Sequence, residues 1–245
     1  METIGFIGLG NLGTAIAQNI QNAGYPMVVY DIREGATKPL LKEGSRLAGA
    51  PDEVASLSDV TFTSLPGPRE VEDVTLGLHG VVNGIKEGGI YVDLSTSRPS
   101  LIRRIGEIFE EKSVKVLDAP VLTSPATAAD RQVVVMPSGD REVYQKLRPL
   151  FDSFADTVVY QGPLGMGSTC KLVNNMITLA VRQVVAEGLT LGVKAGLDLD
   201  SLMEAGNRMV LGHQEEGLRK TVFRGQFDPP SFRQALARKD IGLAN

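Results

Sequence analysis

The feature that most constrains the fold of this chain is a glycine-rich turn that directly follows a short apolar run. The run is Ile4–Ile7, and the turn reads Gly8-Leu9-Gly10-Asn11-Leu12-Gly13. This pattern predicts a buried strand, a tight turn and a helix that begins near Asn11. Gly8 allows the turn, Gly10 allows a ligand to approach the backbone, and Gly13 allows the helix to pack on the strand. The unpaired N–H groups of such a helix N-terminus favour a phosphate.

An acidic residue ends the second predicted strand. Met27–Tyr30 is followed by Asp31, at about the 20-residue spacing of a dinucleotide-binding unit. A carboxylate there can accept both hydroxyls of an adenosine ribose, and it would repel a 2′-phosphate. Arg33 could stack on adenine or, as the lesser alternative, help to hold a phosphate. The pattern predicts NAD in preference to NADP, against the alternative of a ligand-free glycine turn in which Asp31 only caps a strand.

Composition narrows the classes of partner. The chain has 245 residues, of which 25 are Lys or Arg and 29 are Asp or Glu, so it has no basic footprint for nucleic acid. The lone cysteine, Cys170, excludes an intramolecular disulfide and suits a reducing compartment. His79 and His213 have no Cys or carboxylate at metal-ligand spacing, and we predict no metal site. We also expect no secretory leader and no apolar run long enough to span a membrane, hence a soluble cytoplasmic protein.

Residues 1–162 show short apolar runs that alternate with helical stretches. The strand candidates are Ile4–Ile7, Met27–Tyr30 and residues 60–64, 90–94, 114–117, 133–136 and 157–160. This alternation predicts an α/β domain with a doubly wound, mostly parallel sheet, the Rossmann architecture. Leu65-Pro66 predicts a turn directly after a strand, at the sheet edge where ligands of such folds bind.

Residues 163–245 predict an all-helical C-terminal domain. The stretch 168–194 is helical in pattern and apolar on nearly every face, with Leu172, Val173, Met176, Ile177, Leu179, Val181, Val184 and Val185. A helix that is apolar all round is expected to be buried. Because few residues follow it, we expect part of its cover to come from a second subunit in a homodimer or homotetramer. Asp200 or Ser201 is expected to cap the next helix.

Lys171 and Asn175 lie four residues apart near the start of this long helix, and therefore on one face. A lysine in a dry cleft loses solvation of its charge, which lowers its pKa and eases proton transfer. An amide one turn away can hold a substrate hydroxyl. With a nicotinamide as hydride acceptor, the pair completes a metal-free alcohol dehydrogenase. Alternatively, Lys171 could extend to solvent, and Asn174 and Asn175 could cap or bridge helices.

Several stretches, in order along the chain, resemble the β-hydroxyacid dehydrogenase family, which is typified by 3-hydroxyisobutyrate and tartronate semialdehyde dehydrogenases. They are residues 5–13, Leu65-Pro66, residues 93–99, residues 167–175 and residues 239–244. The resemblance implies that Lys171 is the acid/base group, and that Thr96, Lys239 and the Leu65-Pro66 turn lie at the cofactor. It places Ser95 near the reacting centre. It also implies further helices after Lys239, which we expect in a longer chain or in a partner subunit.

The predicted substrate loop departs from the family pattern. The family reads Asp-x-Pro-Val-Ser-Gly-Gly, whereas this chain reads Asp-Ala-Pro-Val-Leu-Thr-Ser over residues 118–124. Leu122 removes a donor, and the Cβ atoms of Thr123 and Ser124 narrow the approach to the substrate carboxylate. The hydroxyls of Thr123 and Ser124 could replace the lost contacts, so the loop leaves the identity of the acid open.

The resemblance implies reversible oxidation of a small 3-hydroxy acid to its semialdehyde. Ser95, Leu122, Thr123 and Ser124 would line the carboxylate end of that substrate. One alternative is an imine reductase or other carbonyl reductase of the same superfamily, and another is a non-catalytic NAD-binding sensor. Lys171 argues against the sensor, because a sensor needs no acid/base group.

Overall fold

The computed structural model describes residues 2–123, 125–207 and 234–244. Its strands are β1 (Ile4–Ile7), β2 (Met27–Tyr30), β3 (Arg46–Leu47), β4 (Val60–Thr63), β5 (Ile90–Asp93), β6 (Lys115–Asp118), β7 (Val121–Leu122), β8 (Val134–Val135), β9 (Ser138–Gly139) and β10 (Thr157–Val158). Its α-helices are α1 (Asn11–Asn22), α2 (Lys38–Lys42), α3 (Pro51–Ser56), α4 (Pro68–Leu76), α5 (Val81–Gly84), α6 (Pro99–Glu110), α7 (Pro125–Ala128), α8 (Arg141–Phe154), α9 (Met166–Lys194), α10 (Leu199–Asn207) and α11 (Gln234–Ala244).

The main sheet has the strand order β3-β2-β1-β4-β5-β6-β9. All of its neighbouring strands are parallel except β6 and β9, which are antiparallel. This confirms the predicted doubly wound, mostly parallel sheet. From β1 the chain adds strands first on one side of the sheet (β2, β3) and then on the other (β4, β5, β6), so the strand order reverses between β1 and β4. Ligands of such sheets bind beyond the strand ends at this switch point.

Successive residues of the central strand β1 serve the two faces of the sheet. Phe6 belongs to the core on one face, where its ring stacks 6.1 Å from that of Phe62. Ile7 belongs to the core on the other face, with Tyr91 and Phe109. Side chains alternate along a strand, so a strand covered on both faces reads as a continuous apolar run. The first residues of the chain therefore build the centre of the domain.

Two of the predicted strands lie outside the main sheet. The segments at 133–136 and 157–160 contribute β8 and β10 to a small second sheet of order β10-β8-β7. Their regular parts are only two residues long, and β8 pairs parallel with β10 on one side and antiparallel with β7 on the other. The prediction that they extend the main sheet was wrong, and the edge position is taken by the antiparallel strand β9.

The long helix α9 runs for 29 residues, which is about 43 Å. Leu172 and Val185 are buried, but Ile177 is 54% exposed and Val184 is 68% exposed. The prediction that the helix is buried all round was therefore wrong for the single chain, since the described residues cover only part of its apolar surface. The expected homo-oligomer stays a prediction, which light scattering would test.

By length and composition, α9 could cross a membrane. α9 meets this criterion as an average over 18 residues, whereas the expectation concerned uninterrupted apolar runs, and Arg182 and Glu187 interrupt the run here. A helix that packs against protein passes the same test.

The described chain divides into two compact units between Lys171 and Leu172. The second unit is helical in its described part, with a small core of Val185, Leu189 and Met203. The cap of α10 is Asp198, whose carboxylate accepts the N–H and the hydroxyl of Ser201 at 2.9 Å each. The prediction of Asp200 or Ser201 as cap was wrong, because the helix begins at Leu199 and its third N–H turns back to Asp198.

Candidate active site

The glycine turn after β1 has the geometry that close packing requires. Gly8 has φ +94°, and a Cβ there would stand 2.4 Å from the carbonyl oxygen of Ser64. A Cβ on Gly13 would stand 2.0 Å from the carbonyl oxygen of Gly8. At Gly10, the first residue before α1, a Cβ would meet no atom within 4 Å, and no side chain caps the helix. The turn therefore forms an open cradle at a helix N-terminus, which fits the pyrophosphate of a dinucleotide.

Asp31 holds this turn in place from the end of β2. Its Oδ2 accepts the Leu9 N–H at 2.7 Å, and its Oδ1 accepts the Arg33 N–H at 2.8 Å. The Arg33 guanidinium lies 3.1 Å from Oδ1 and also donates to the carbonyl of Leu9 at 3.0 Å. Burial opposes the negative charge, but the hydrogen bonds from Arg33 and Leu9 outweigh burial and hold the pKa of Asp31 below its ordinary value. An ionised acceptor therefore lies beside the cradle.

The ends of β4 and β5 are joined by a buried polar network. The Ser95 hydroxyl accepts the Leu65 N–H at 2.9 Å, and the Ser95 N–H donates to Asp93 Oδ1 at 3.0 Å. Thr63 donates to the same oxygen at 2.8 Å. The structure thus brings Ser95 against the Leu65 turn, and their predicted places, near the reacting centre and beside the cofactor, stay predictions. In the same two segments, Pro66 is exposed and Thr96 is half-buried.

Asp93 was not singled out by sequence reasoning. It is buried, and its Oδ2 has no hydrogen-bond partner among the described residues. Burial raises the pKa of Asp93 to about 6. The network that holds Ser95 therefore rests on a carboxyl group whose charge is costly.

A second buried carboxylate, Asp118, lies beside Asp93 at the end of the neighbouring strand β6. Its Oδ1 accepts the Gly165 N–H at 2.9 Å, and its Oδ2 accepts the Ser168 N–H at 2.6 Å. Its Oδ1 also accepts the hydroxyl of Ser138. Asp118 therefore caps the N-terminus of α9 from a distant strand.

Lys171 follows one turn after this cap. It is half-buried, and its Nζ donates to the backbone carbonyl of Val121 at 2.8 Å. Val121 belongs to the segment that was predicted to hold the substrate. The structure thus places the predicted acid/base group against the predicted substrate loop, and its ammonium bonds to protein.

Asn175 and Lys239, both predicted site residues, meet at Asp240. Asn175 Nδ2 donates to Asp240 Oδ2 at 2.8 Å, and Lys239 Nζ lies 2.9 Å from Asp240 Oδ1. The amide nitrogen of Asn175 is therefore the atom that faces Asp240. Asp240 is buried and was missed by sequence reasoning, although it follows Lys239 directly.

The substrate loop is only partly described. Leu122 is half-buried and pairs with Val134 in the small sheet. The Thr123 hydroxyl donates to the carbonyl of Gln132 at 2.9 Å and lies 3.1 Å from the Thr127 hydroxyl. Its proton is thus directed to the backbone of Gln132, outside residues 118–124. Ser124 lies outside the described residues.

Comparison with known proteins decides the family. Residues 3–162 match the sequence model for the NAD binding domain of 6-phosphogluconate dehydrogenase. Residues 165–245 match the model for the NAD-binding region of NADP-dependent 3-hydroxyisobutyrate dehydrogenase. The chain belongs to the 3-hydroxyisobutyrate dehydrogenase family. The resemblance found in the sequence is thereby confirmed, and the chain is an NAD(P)-binding oxidoreductase of this family.

Individual relatives agree with this family. A protein of Arabidopsis thaliana named "Probable 3-hydroxyisobutyrate dehydrogenase-like 3, mitochondrial" is 36% identical over 98% of this chain and 76% of its own length. Glyoxylate/succinic semialdehyde reductase 2 of the same plant is 32% identical over 99% of this chain and 68% of its own. The structure of Mycobacterium tuberculosis 3-hydroxyisobutyrate dehydrogenase with L-serine superimposes with a TM-score of 0.89, at 28% identity, over 100% of this chain and 85% of that one.

Proposed function

We propose that the protein is an NAD-dependent dehydrogenase that interconverts a small 3-hydroxy acid and its semialdehyde. The observation that carries the proposal is the 2.8 Å bond between Lys171 Nζ and Val121 O, which sets a lysine ammonium against the loop that departs most from the family pattern. A bound nicotinamide would supply the hydride-accepting ring.

Each side chain has a task in this proposal. Lys171 exchanges the hydroxyl proton of the substrate at Nζ, and the Val121 carbonyl orients the ammonium group. Asn175 holds the substrate oxygen through its amide, whose orientation is set by Asp240. Ser95, Leu122, Thr123 and Ser124 line the carboxylate end.

A panel of substrates tests the reaction class. NADH formation would be followed at 340 nm with 3-hydroxyisobutyrate, 3-hydroxypropionate, L-serine and 4-hydroxybutyrate, with 2-hydroxy acids as the control. We expect turnover with at least one 3-hydroxy acid and none with the 2-hydroxy acids, because the distance from the hydroxyl to the carboxylate is fixed by the site. No turnover across the panel, with NAD bound normally, would contradict the proposal and favour a reductase of another substrate or a sensor.

Asp31 is the proposed determinant of cofactor choice. Asp31→Asn should weaken NAD binding by about 10- to 100-fold, because charge-assisted hydrogen bonds to the ribose hydroxyls are lost. The same change should reduce the ratio of the affinities for NAD and NADP, because asparagine carries no negative charge to repel a 2′-phosphate. Fluorescence titration with both cofactors measures these affinities.

The matched control for this substitution is Asp152→Asn. Asp152 is a surface carboxylate on α8 that pairs with Arg148, and its loss should leave both affinities unchanged. Equal affinity of the unmodified protein for NAD and NADP would refute the role of Asp31.

A further inference from the structure

We infer that Asp118 is the positioning residue of Lys171, and that it acts through the first turn of α9. The inference rests on the proposed function, because it assigns a task to the residue that holds the proposed acid/base group. It concerns contacts within the residues up to Lys171.

The N–H groups at the start of α9 donate hydrogen bonds to side chains and backbone carbonyls outside the helix. Gly165 and Ser168 donate to Asp118, as described above. The Gly167 N–H donates to the Ser138 hydroxyl at 2.9 Å, and that hydroxyl donates to Asp118 in turn. The Met166 N–H donates to the carbonyl of Pro163 at 3.1 Å.

Regular helical hydrogen bonding then begins with the Thr169 N–H, which donates to the carbonyl of Gly165 at 3.0 Å. A helix normally leaves about four such donors without an intrahelical partner. Here those of residues 165–168 all have acceptors, and Asp118 receives most of them directly or through Ser138. The start of α9 is therefore fixed at one residue.

One short segment holds α9 at two levels. Asp118 binds the start of the helix, and Val121, three residues later, accepts the hydrogen bond of Lys171 one turn further along. A slip of the helix by one residue would rotate it by about 100° and break both contacts. The carboxylate thus sets the rotation of α9 that points Lys171 at the Val121 carbonyl.

A carboxylate is required for this task. Both oxygens of Asp118 accept from donors, and an asparagine would have to present an NH₂ group to at least one of them. Asp118 is only 1% exposed and Ser138 is fully buried, so water cannot replace a lost acceptor. The negative charge also complements the positive end of the α9 dipole.

The test compares Asp118→Asn with Asp140→Asn. Asp140 is the matched control, since it caps α8 by accepting the N–H groups of Glu142 and Val143 and forms its ion pair with Lys115. The readouts are kcat and KM with 3-hydroxyisobutyrate and NAD, the Kd for NAD, and the rate at which trace acetic anhydride acetylates Lys171, followed by mass spectrometry.

For Asp118→Asn we expect kcat to fall by about 100-fold while KM and the Kd for NAD stay unchanged. A misplaced acid/base group slows the proton transfer but does not weaken the binding of substrate or cofactor. We also expect the acetylation rate of Lys171 to rise by about tenfold, the amount that a lost hydrogen bond of ordinary strength would allow. Asp140→Asn should change none of these. If Asp118→Asn fails to fold, Ser138→Ala removes only the relay from Gly167 and should shift kcat and acetylation in the same directions by smaller factors.

The outcomes separate the two proposals. An unchanged acetylation rate of Lys171 in both Asp118→Asn and Ser138→Ala would overturn the inference, as would an effect confined to KM or shared by Asp140→Asn. Acetylation needs no substrate, so it decides the inference even if 3-hydroxyisobutyrate is not turned over. Failure of the proposed function would show instead as normal turnover by a variant that lacks Lys171.

Discussion

Replacing Lys171 with alanine is expected to lower kcat by a factor of about 10² to 10⁴, the usual cost of removing a general acid/base group. The half-buried Lys171 Nζ, held at 2.8 Å by the Val121 carbonyl, is the proposed proton carrier: it takes up the hydroxyl proton as a neutral amine and returns it as an ammonium group. NAD affinity should not change, since the cradle is formed by the turn after β1. Steady-state NADH formation and fluorescence titration measure the two quantities.

Two further variants make this result specific. Lys171→Arg keeps the positive charge, but a guanidinium does not lose its proton at neutral pH, so this variant should be nearly as slow as the alanine variant. Lys194→Ala, an exposed change in the last turn of the same helix, should leave kcat unchanged. Normal turnover by Lys171→Ala on a true substrate would remove Lys171 from the mechanism.

Stability should fall as the pH rises from about 4 to about 6, because of Asp93. Burial raises the pKa of this carboxyl from 3.8 to about 6, so in this window the native state keeps a proton that the unfolded chain has released. The stabilisation is complete below the unfolded pKa and is lost as the pH passes the folded pKa. At about 1.4 kcal/mol per unit, the free energy of unfolding should drop by about 3 kcal/mol, as measured by denaturant titration at each pH.

Asp93→Asn should flatten this pH profile. The amide oxygen can still accept from Ser95 and Thr63, whereas the charge that becomes costly at higher pH is absent. Asp31 and Asp140 have lowered pKa values, and their contributions are lost only as the pH falls below the ordinary range, outside this window. Asp140→Asn should therefore retain the slope. A slope of the same size in Asp93→Asn would contradict the assignment.

The parts of the fold that the sequence predicts well are those set by neighbours along the chain. Gly13 is needed because a Cβ there would meet the carbonyl oxygen of Gly8, five residues earlier, and Gly8 is needed because the turn itself requires a positive φ. Similarly, β1 and β2 read as apolar runs because the sheet is covered on both faces. In these segments the sequence pattern predicts the local geometry directly.

The residues that the sequence could not reveal depend on contacts between distant segments. Asp118 lies 47 and 50 positions before the N–H groups that it caps, and Ser138 reaches it only because β9 returns antiparallel to β6. No spacing rule joins such residues. The local signals were that Asp118 directly follows a predicted strand, at the sheet edge where functional side chains collect, and that it is the first residue of the predicted substrate loop.

The prediction that α9 is buried on all sides was wrong for a different reason. An apolar pattern states that a surface avoids water, but it does not state what covers that surface. Val184 and Ile177 are exposed in the described chain, although both fit the predicted apolar stripe. Thr123 shows the same limit for polar groups, since its hydroxyl proton bonds to the carbonyl of Gln132, nine residues along the chain.

The cap of α9 also has a consequence for the order in which the chain is made. Both acceptor side chains, Asp118 and Ser138, precede the N–H groups of residues 165–168, so a ribosome releases the acceptors first. These side chains belong to β6 and β9. The two strands pair with each other, and both precede α9 along the chain. The loop that must close is long, but its closure entropy grows only slowly with length. The first turn of the long helix therefore emerges onto a binding surface that earlier residues can already have built, and that surface selects the residue at which the helix starts.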